Sequence, residues 1–96
     1  MSKVKLTDYV VEFLQKKGIH DFFGYQGTMI AHLVDSIEKN PHVRSHSSYH
    51  EQGAAFAACG YAQAKNACGC AYATSGPGAA NLLSGVADAY FDSLPV

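Results

Sequence analysis

Charge is scarce in this chain, and its scarcity removes several functions at once. Of 96 residues only 16% are charged, with Lys and Arg numbering 7 against 8 Asp and Glu, for a net charge of -1. That balance gives no electrostatic footprint for nucleic acid or for an anionic membrane surface. Long apolar runs are missing too: none reaches the roughly 18 residues that a membrane span needs. The opening Met1-Ser2-Lys3-Val4-Lys5 has no apolar signal core behind it, which predicts a cytoplasmic protein. Cysteine is limited to Cys59, Cys68 and Cys70, with a C-x-C rather than a C-x-x-C spacing. These thiols read as reduced, buried, small apolar side chains rather than as a disulfide framework. The histidines are scattered and none forms an H-x-x-x-H pair within one predicted helix, so no zinc site is expected. No phosphate-loop motif, repeat, linker or low-complexity segment is found.

What is present is one small domain's worth of alternating elements. Leu6–Lys17 predicts a helix capped by Thr7 or Asp8, with Tyr9, Val10, Phe13 and Leu14 on its apolar stripe and Gly18 just past its end. Ile19–Gly24 predicts a strand, Gly24-Tyr25-Gln26-Gly27 a turn, and Thr28–Lys39 a second helix that Asn40-Pro41 stops. His42–Tyr49 is a polar strand assigned by alternation with the helices, because Val43 is its only aliphatic residue. A helix of small residues follows from Gly53 to about Lys65-Asn66. Gly69–Thr74 predicts a buried strand, Ser75–Gly78 a tight turn, and Ala79–Ser93 a helix with Leu82, Leu83, Val86 and Tyr90 inward. Leu94-Pro95-Val96 reads as the entry to another strand. Helices alternating with strands imply right-handed crossovers, a parallel sheet and a three-layer α/β/α domain.

Glu51 stands at a strand-to-helix junction, where parallel α/β folds place their ligands. It is the one acid between Glu38 and Asp88, and its apolar surroundings predict a raised carboxyl pKa. The plain alternative is a solvated glutamate favouring the positive end of a helix dipole. Two glycine turns, Gly24–Gly27 and Ser75–Gly78, are expected on the same sheet edge as Glu51. The second has G-x-G, but Asn81 replaces a third glycine and Pro77 removes an N–H donor, so it is a poor phosphate cradle. It suits a rigid turn that brings backbone close to a flat ligand, with Thr74 and Asn81 as polar groups; a mere connector is the bland reading.

The strings GYQG, YHEQGAAFAACGYAQA and ATSGPGAANLLSGVADAYFDSLPV, in that order and spacing, resemble the N-terminal pyrimidine-binding domain of thiamine-diphosphate enzymes, acetolactate synthase and pyruvate oxidase type. The resemblance runs from about Leu6 to Val96. It implies that Glu51 hydrogen-bonds N1′ of the cofactor's aminopyrimidine ring and shares a proton with it, which activates the thiazolium carbon for attack on a 2-keto acid. It further implies cofactor contacts at Gln26, Gly27, Thr74, Pro77 and Asn81. By the same resemblance, the diphosphate and Mg2+ are held by a separate C-terminal domain with a Gly-Asp-Gly motif, and FAD is used by some members. A second subunit completes the cofactor site, in a homo-dimer or tetramer of the full-length enzyme.

No Gly-Asp-Gly motif occurs in the chain. Residues 1–96 are therefore expected to be part of the pyrimidine-binding domain of a longer 2-keto acid decarboxylase or carboligase, inactive alone. Four positions depart from the family's usual residues: Gln26 for proline, Thr28 for glycine, Tyr49 for arginine and Cys59 for aspartate. They bear on substrate more than on cofactor. Two other functions fit the residues: a free-standing nucleotide or phosphate binder using the glycine turns, and a non-catalytic paralogue that pairs through its small-residue helix. Glu51 favours the first reading, since a carboxylate beside a phosphate is repulsive.

Overall fold

A computed structural model describes residues 3–96; Met1 and Ser2, which belong to the N-terminal reading above, lie outside them. The elements in order are α1 (Leu6–Lys16), β1 (Asp21–Gly24), a short 3-10 turn (Thr28–Ile30), α2 (Ala31–Lys39), β2 (Arg44–Ser47), α3 (Glu51–Lys65), β3 (Ala71–Tyr72) and α4 (Pro77–Phe91). The three strands form one parallel sheet in the order β2-β1-β3. Successive residues of a strand face opposite sides, and β1 shows both. Phe22 packs into a core with Val11, Ile37 and Val43, and Leu14, Leu33 and Val34 close around it. Phe23 points the other way, stacked on His46 and tilted against Tyr61 of α3. Helices α1 and α2 therefore cover one face and α3 the other, as the three-layer expectation required.

Helix α1 is not capped as its sequence predicts. Its N-cap is Lys5, with no side-chain hydrogen bond. Thr7 and Asp8 instead turn to α2, where the Ser36 hydroxyl lies 2.7 Å from Thr7 Oγ1 and donates to Asp8 at 2.6 Å. Tertiary bonding to a buried serine wins over local capping. Helix α3 begins two residues earlier than expected because His50 caps it, its Nδ1 accepting from the Gln52 N–H at 3.1 Å. It ends at Asn66, which takes the left-handed conformation with φ 50. Strand β3 is only two residues long. Among the described residues Leu94–Val96 forms no strand, yet the Gly69 N–H donates to Pro95 O at 2.7 Å, which lays that segment beside β3.

Helix α4 differs most from expectation. Leu83, Val86 and Tyr90 are exposed and Leu82 only half-buried; the buried residues are Gly78, Gly85 and Ala89. The reason lies in α3, whose buried residues are Ala54, Ala55, Ala58, Cys59 and Ala62. Two small-residue faces allow the helix backbones to approach until Gly85 sits against Ala55, and a Cβ at position 85 would collide with that alanine. Large side chains on this face of α4 would hold the helices apart. Cys59 is part of the same contact, its thiol 3.5 Å from Gly85 O, and so packs as a small apolar group. Cys68 is exposed and Cys70 half-buried, so burial of all three thiols does not hold.

One feature of the sheet was not legible beforehand. Asp21 is buried at the start of β1. Arg44 donates to it from Nε and Nη2 at 3.0 and 3.2 Å, and His46 Nε2 lies 2.7 Å away. Burial pushes the Asp21 carboxyl up, but hydrogen bonds from Arg44, His46 and Tyr61 and the Arg44 charge outweigh burial and hold it at about 2.

Two outcomes follow from this packing. Gly85→Ala should lower stability by on the order of 1–3 kcal/mol, the usual cost of overpacking, while Gly60→Ala, at an open helix position, should not; chemical denaturation of both variants checks this. The Asp21 pKa is lower folded than unfolded, so its stabilisation is complete above about pH 4 and is lost as pH falls toward 2. Asp21→Asn should therefore cost on the order of 1–2 kcal/mol near neutrality, discounted for the exposed Arg44 partner. Melting curves of variant and wild type should converge at acid pH.

Candidate functional site

All three strands run in one direction, so their carboxyl ends share one edge. β1 leads there into Tyr25–Gly27, β2 into Glu51 at the first position of α3, and β3 into Ala73–Gly76 and α4. This brings together residues far apart in the chain. The Asn81 side-chain N–H donates to Glu51 Oε2 at 3.0 Å across a separation of 30 residues. A Cβ on Gly78 would lie 2.8 Å from Thr74 Cγ2 and 3.3 Å from Glu51 Oε1. One on Gly27 would lie 2.5 Å from Thr74 Cβ. Gly27, Thr74, Gly78, Glu51 and Asn81 thus form one contiguous group, with Thr74 bridging the two glycine turns. The expectation that both turns and Glu51 share an edge holds.

Gln26 and Pro77 stand differently. Gln26 is exposed, and with Thr28, Val34 and Glu38 it lines a concavity of about 540 Å³ running along α2. Pro77 is exposed at the first position of α4, after Gly76 with φ 75. Both are next in sequence to members of the group, but neither side chain has a contact with Glu51 among those resolved. Tyr25 and Tyr49 flank the same edge with ring centroids 6.0 Å apart.

The Glu51 carboxyl corrects the sequence reading. A raised pKa was expected from apolar surroundings; the pKa is lowered instead. The Asn81 amide is the main cause, followed by the N–H of Glu51 itself at the helix start, and these outweigh what burial there is. The apolar neighbours in the sequence, Ala54, Ala55 and Ala58, face α4 and the sheet, while Glu51 is only half-buried. As it stands, the site presents an ionised carboxylate with one oxygen held by an amide and the other beside a glycine turn, next to a hydroxyl. That set suits the edge of a flat heteroaromatic ring: an acceptor for a ring N–H, beside two turns that close on Thr74 because Gly27 and Gly78 carry no Cβ. Among the described residues no cluster of His, Cys, Asp or Glu could hold a metal ion, and no helix is long and apolar enough to cross a membrane.

Comparison with known proteins gives a consistent result. Residues 4–96 match the family described as thiamine pyrophosphate enzyme, N-terminal TPP binding domain. The chain is 45% identical over 96 residues to a probable acetolactate synthase 2, chloroplastic, of Oryza sativa subsp. japonica, covering 100% of this chain and 14% of that protein. It is 44% identical over 92 residues to acetolactate synthase 1, chloroplastic, of Zea mays, and 41% identical over 92 residues to acetolactate synthase, chloroplastic, of Arabidopsis thaliana; each covers 96% of this chain and 14% of the relative. The chain thus spans about 14% of the length of the curated relatives it matches.

If the Asn81 amide is what holds Glu51 ionised, Asn81→Ala should move the Glu51 titration up toward the ordinary value of 4.5. Asn81→Asp should move it further, because a second carboxylate 3 Å away opposes ionisation. Carbon-13 carboxyl shifts followed through a pH titration read both, and an unmoved Glu51 in Asn81→Ala would assign the shift to the helix start instead.

Proposed function

The chain belongs to the thiamine pyrophosphate enzyme family as an N-terminal TPP binding domain, and from that membership we propose that its carboxyl edge binds and activates the aminopyrimidine ring of thiamine diphosphate. The observation that carries this is the convergence of Glu51, Asn81, Thr74 and the two glycine turns at one edge. Glu51 Oε1 is the acceptor for ring N1′, and Oε2 stays on Asn81 so that the carboxylate cannot swing away. Gly27 borders the ring from the first turn, and Thr74 and Gly78 from the second. Gln26 and Pro77 extend the contact at either end.

The lowered pKa of Glu51 fits this role. The carboxylate is ionised while water reaches it, and covering it with a ring removes that water and pushes its pKa up. Glu51 then shares a proton with a weakly basic nitrogen and can pass it in either direction, which is what an acid–base group must do. When bound, thiamine diphosphate supplies the electron sink for cleaving the bond between the carbonyl and carboxylate carbons of a 2-keto acid.

The whole protein in this reading is a 2-keto acid decarboxylase or carboligase resembling acetolactate synthase, the activity named for the relatives above. The diphosphate and Mg2+ are assigned to a separate domain, with FAD as an option of the family, and a second subunit completes the site in a homo-dimer or tetramer. Its thiols are free, which suits a reducing compartment; the cytoplasm is proposed, although the relatives are named as chloroplastic.

The test is Glu51→Gln in the whole protein with cofactor bound. The amide keeps the size and leaves the fold, so melting should be little changed. Exchange of the cofactor C2–H for deuterium should fall by at least on the order of a hundredfold, as removal of an acid–base group does. Wild-type exchange in this variant would make Glu51 a structural residue only.

A further inference from the structure

The opposite edge of the sheet carries a second group of polar residues that cofactor binding does not use. Asp21 and Arg44 open β1 and β2 and are register partners, so they stand at the amino ends of the strands. A concavity of about 520 Å³ opens there, lined by His20, Asp21, His42, Arg44, Tyr61 and Lys65, with Pro41 and Ala67 as apolar neighbours. The volume is within the range of small-molecule sites.

Its electrostatics are those of an anion receptor. The buried Asp21 carboxylate binds the Nε and Nη2 side of Arg44 and so fixes the guanidinium in place. A guanidinium carries five N–H donors, and the Nη1 side of Arg44 makes no bond among the described residues, in a side chain 73% exposed. The rotamer freedom that an arginine loses on gripping an anion is already lost here. Asp21 cancels the Arg44 charge, and Lys65, which is in no ion pair among the described residues, supplies the uncancelled one. His20 is oriented by its Nδ1–H, which donates to the His42 carbonyl at 3.1 Å; a carbonyl can only accept, so Nε2 is left uncommitted.

We infer that this concavity binds a small phosphate-bearing organic molecule, with Arg44 and Lys65 on the phosphate and Tyr61 and Pro41 against the organic body. An arginine fork and a lysine point charge from different elements suit a dianion with several terminal oxygens. The concavity is many times larger than a bare phosphate, which calls for the organic body. The near-zero net charge of the chain argues against an extended polyanion such as nucleic acid.

The experiment is calorimetric titration of the whole protein, saturated with thiamine diphosphate and Mg2+ so that any diphosphate site elsewhere is filled. The probes are ribose 5-phosphate, inorganic phosphate and ribose. Ribose 5-phosphate should bind at one site, inorganic phosphate more weakly and ribose not at all. Lys65→Gln, an exposed change that leaves the fold alone, should weaken ribose 5-phosphate binding by at least about fivefold. Arg44→Lys should do the same, since a lysine keeps the charge but loses the fork. No binding of ribose 5-phosphate, or wild-type affinity in either variant, would overturn the assignment.

Discussion

The distance between two helix backbones governs this molecule. Helices α3 and α4 make the most extensive contact of any two elements, and at Ala55 and Gly85 that contact has no side-chain cushion. Everything at the carboxyl edge follows from it. Glu51 is the first residue of α3 and Asn81 lies in the first turns of α4, so the gap between the helices sets the length of their hydrogen bond. A methyl group at position 85 would act as a wedge well removed from Glu51 and still open the site. Alanine and glycine serve here because they lose no side-chain entropy on burial.

Much of the fold was legible because helices and turns announce themselves locally. Lys16, Lys17 and Gly18 mark the end of α1, and Asn40-Pro41 stops α2. The polar strand Arg44–Ser47 was legible only from the alternation of elements, since its residues have no apolar face. What failed were inferences from hydrophobicity to burial. In α4 the large apolar residues point outward and the small ones inward, because the partner surface is itself small-residue backbone. The cap of α1 failed for a related reason: Thr7 and Asp8 had a tertiary partner in Ser36 that no local pattern displays.

The site divides the same way. Glu51, Thr74 and Asn81 were recognisable by position and by family resemblance, and the parallel sheet brings them together. The ionisation of Glu51 was not recognisable, because a run of alanines says nothing about which side of the helix an acid faces. The Asp21 network was missed altogether. Its members, Asp21, Arg44, His46 and Tyr61, are dispersed through three elements and meet only through strand register. The one available signal was an aspartate in an otherwise apolar strand, a residue that is seldom buried without a partner.

The two margins of the sheet also differ in how they meet other chains. β2 forms one margin and offers solvent an arginine, a histidine and serines, none of them inviting to a foreign strand. Because Arg44 and His46 are tethered to Asp21, this guard is held in place rather than waving in solvent. β3 at the other margin is short, and one of its neighbouring amides is already taken by Pro95. A buried acid at the start of the central strand therefore serves a purpose on its edge neighbour. It keeps Arg44 and His46 standing along an edge strand, the kind of place where unguarded strands pair with other chains.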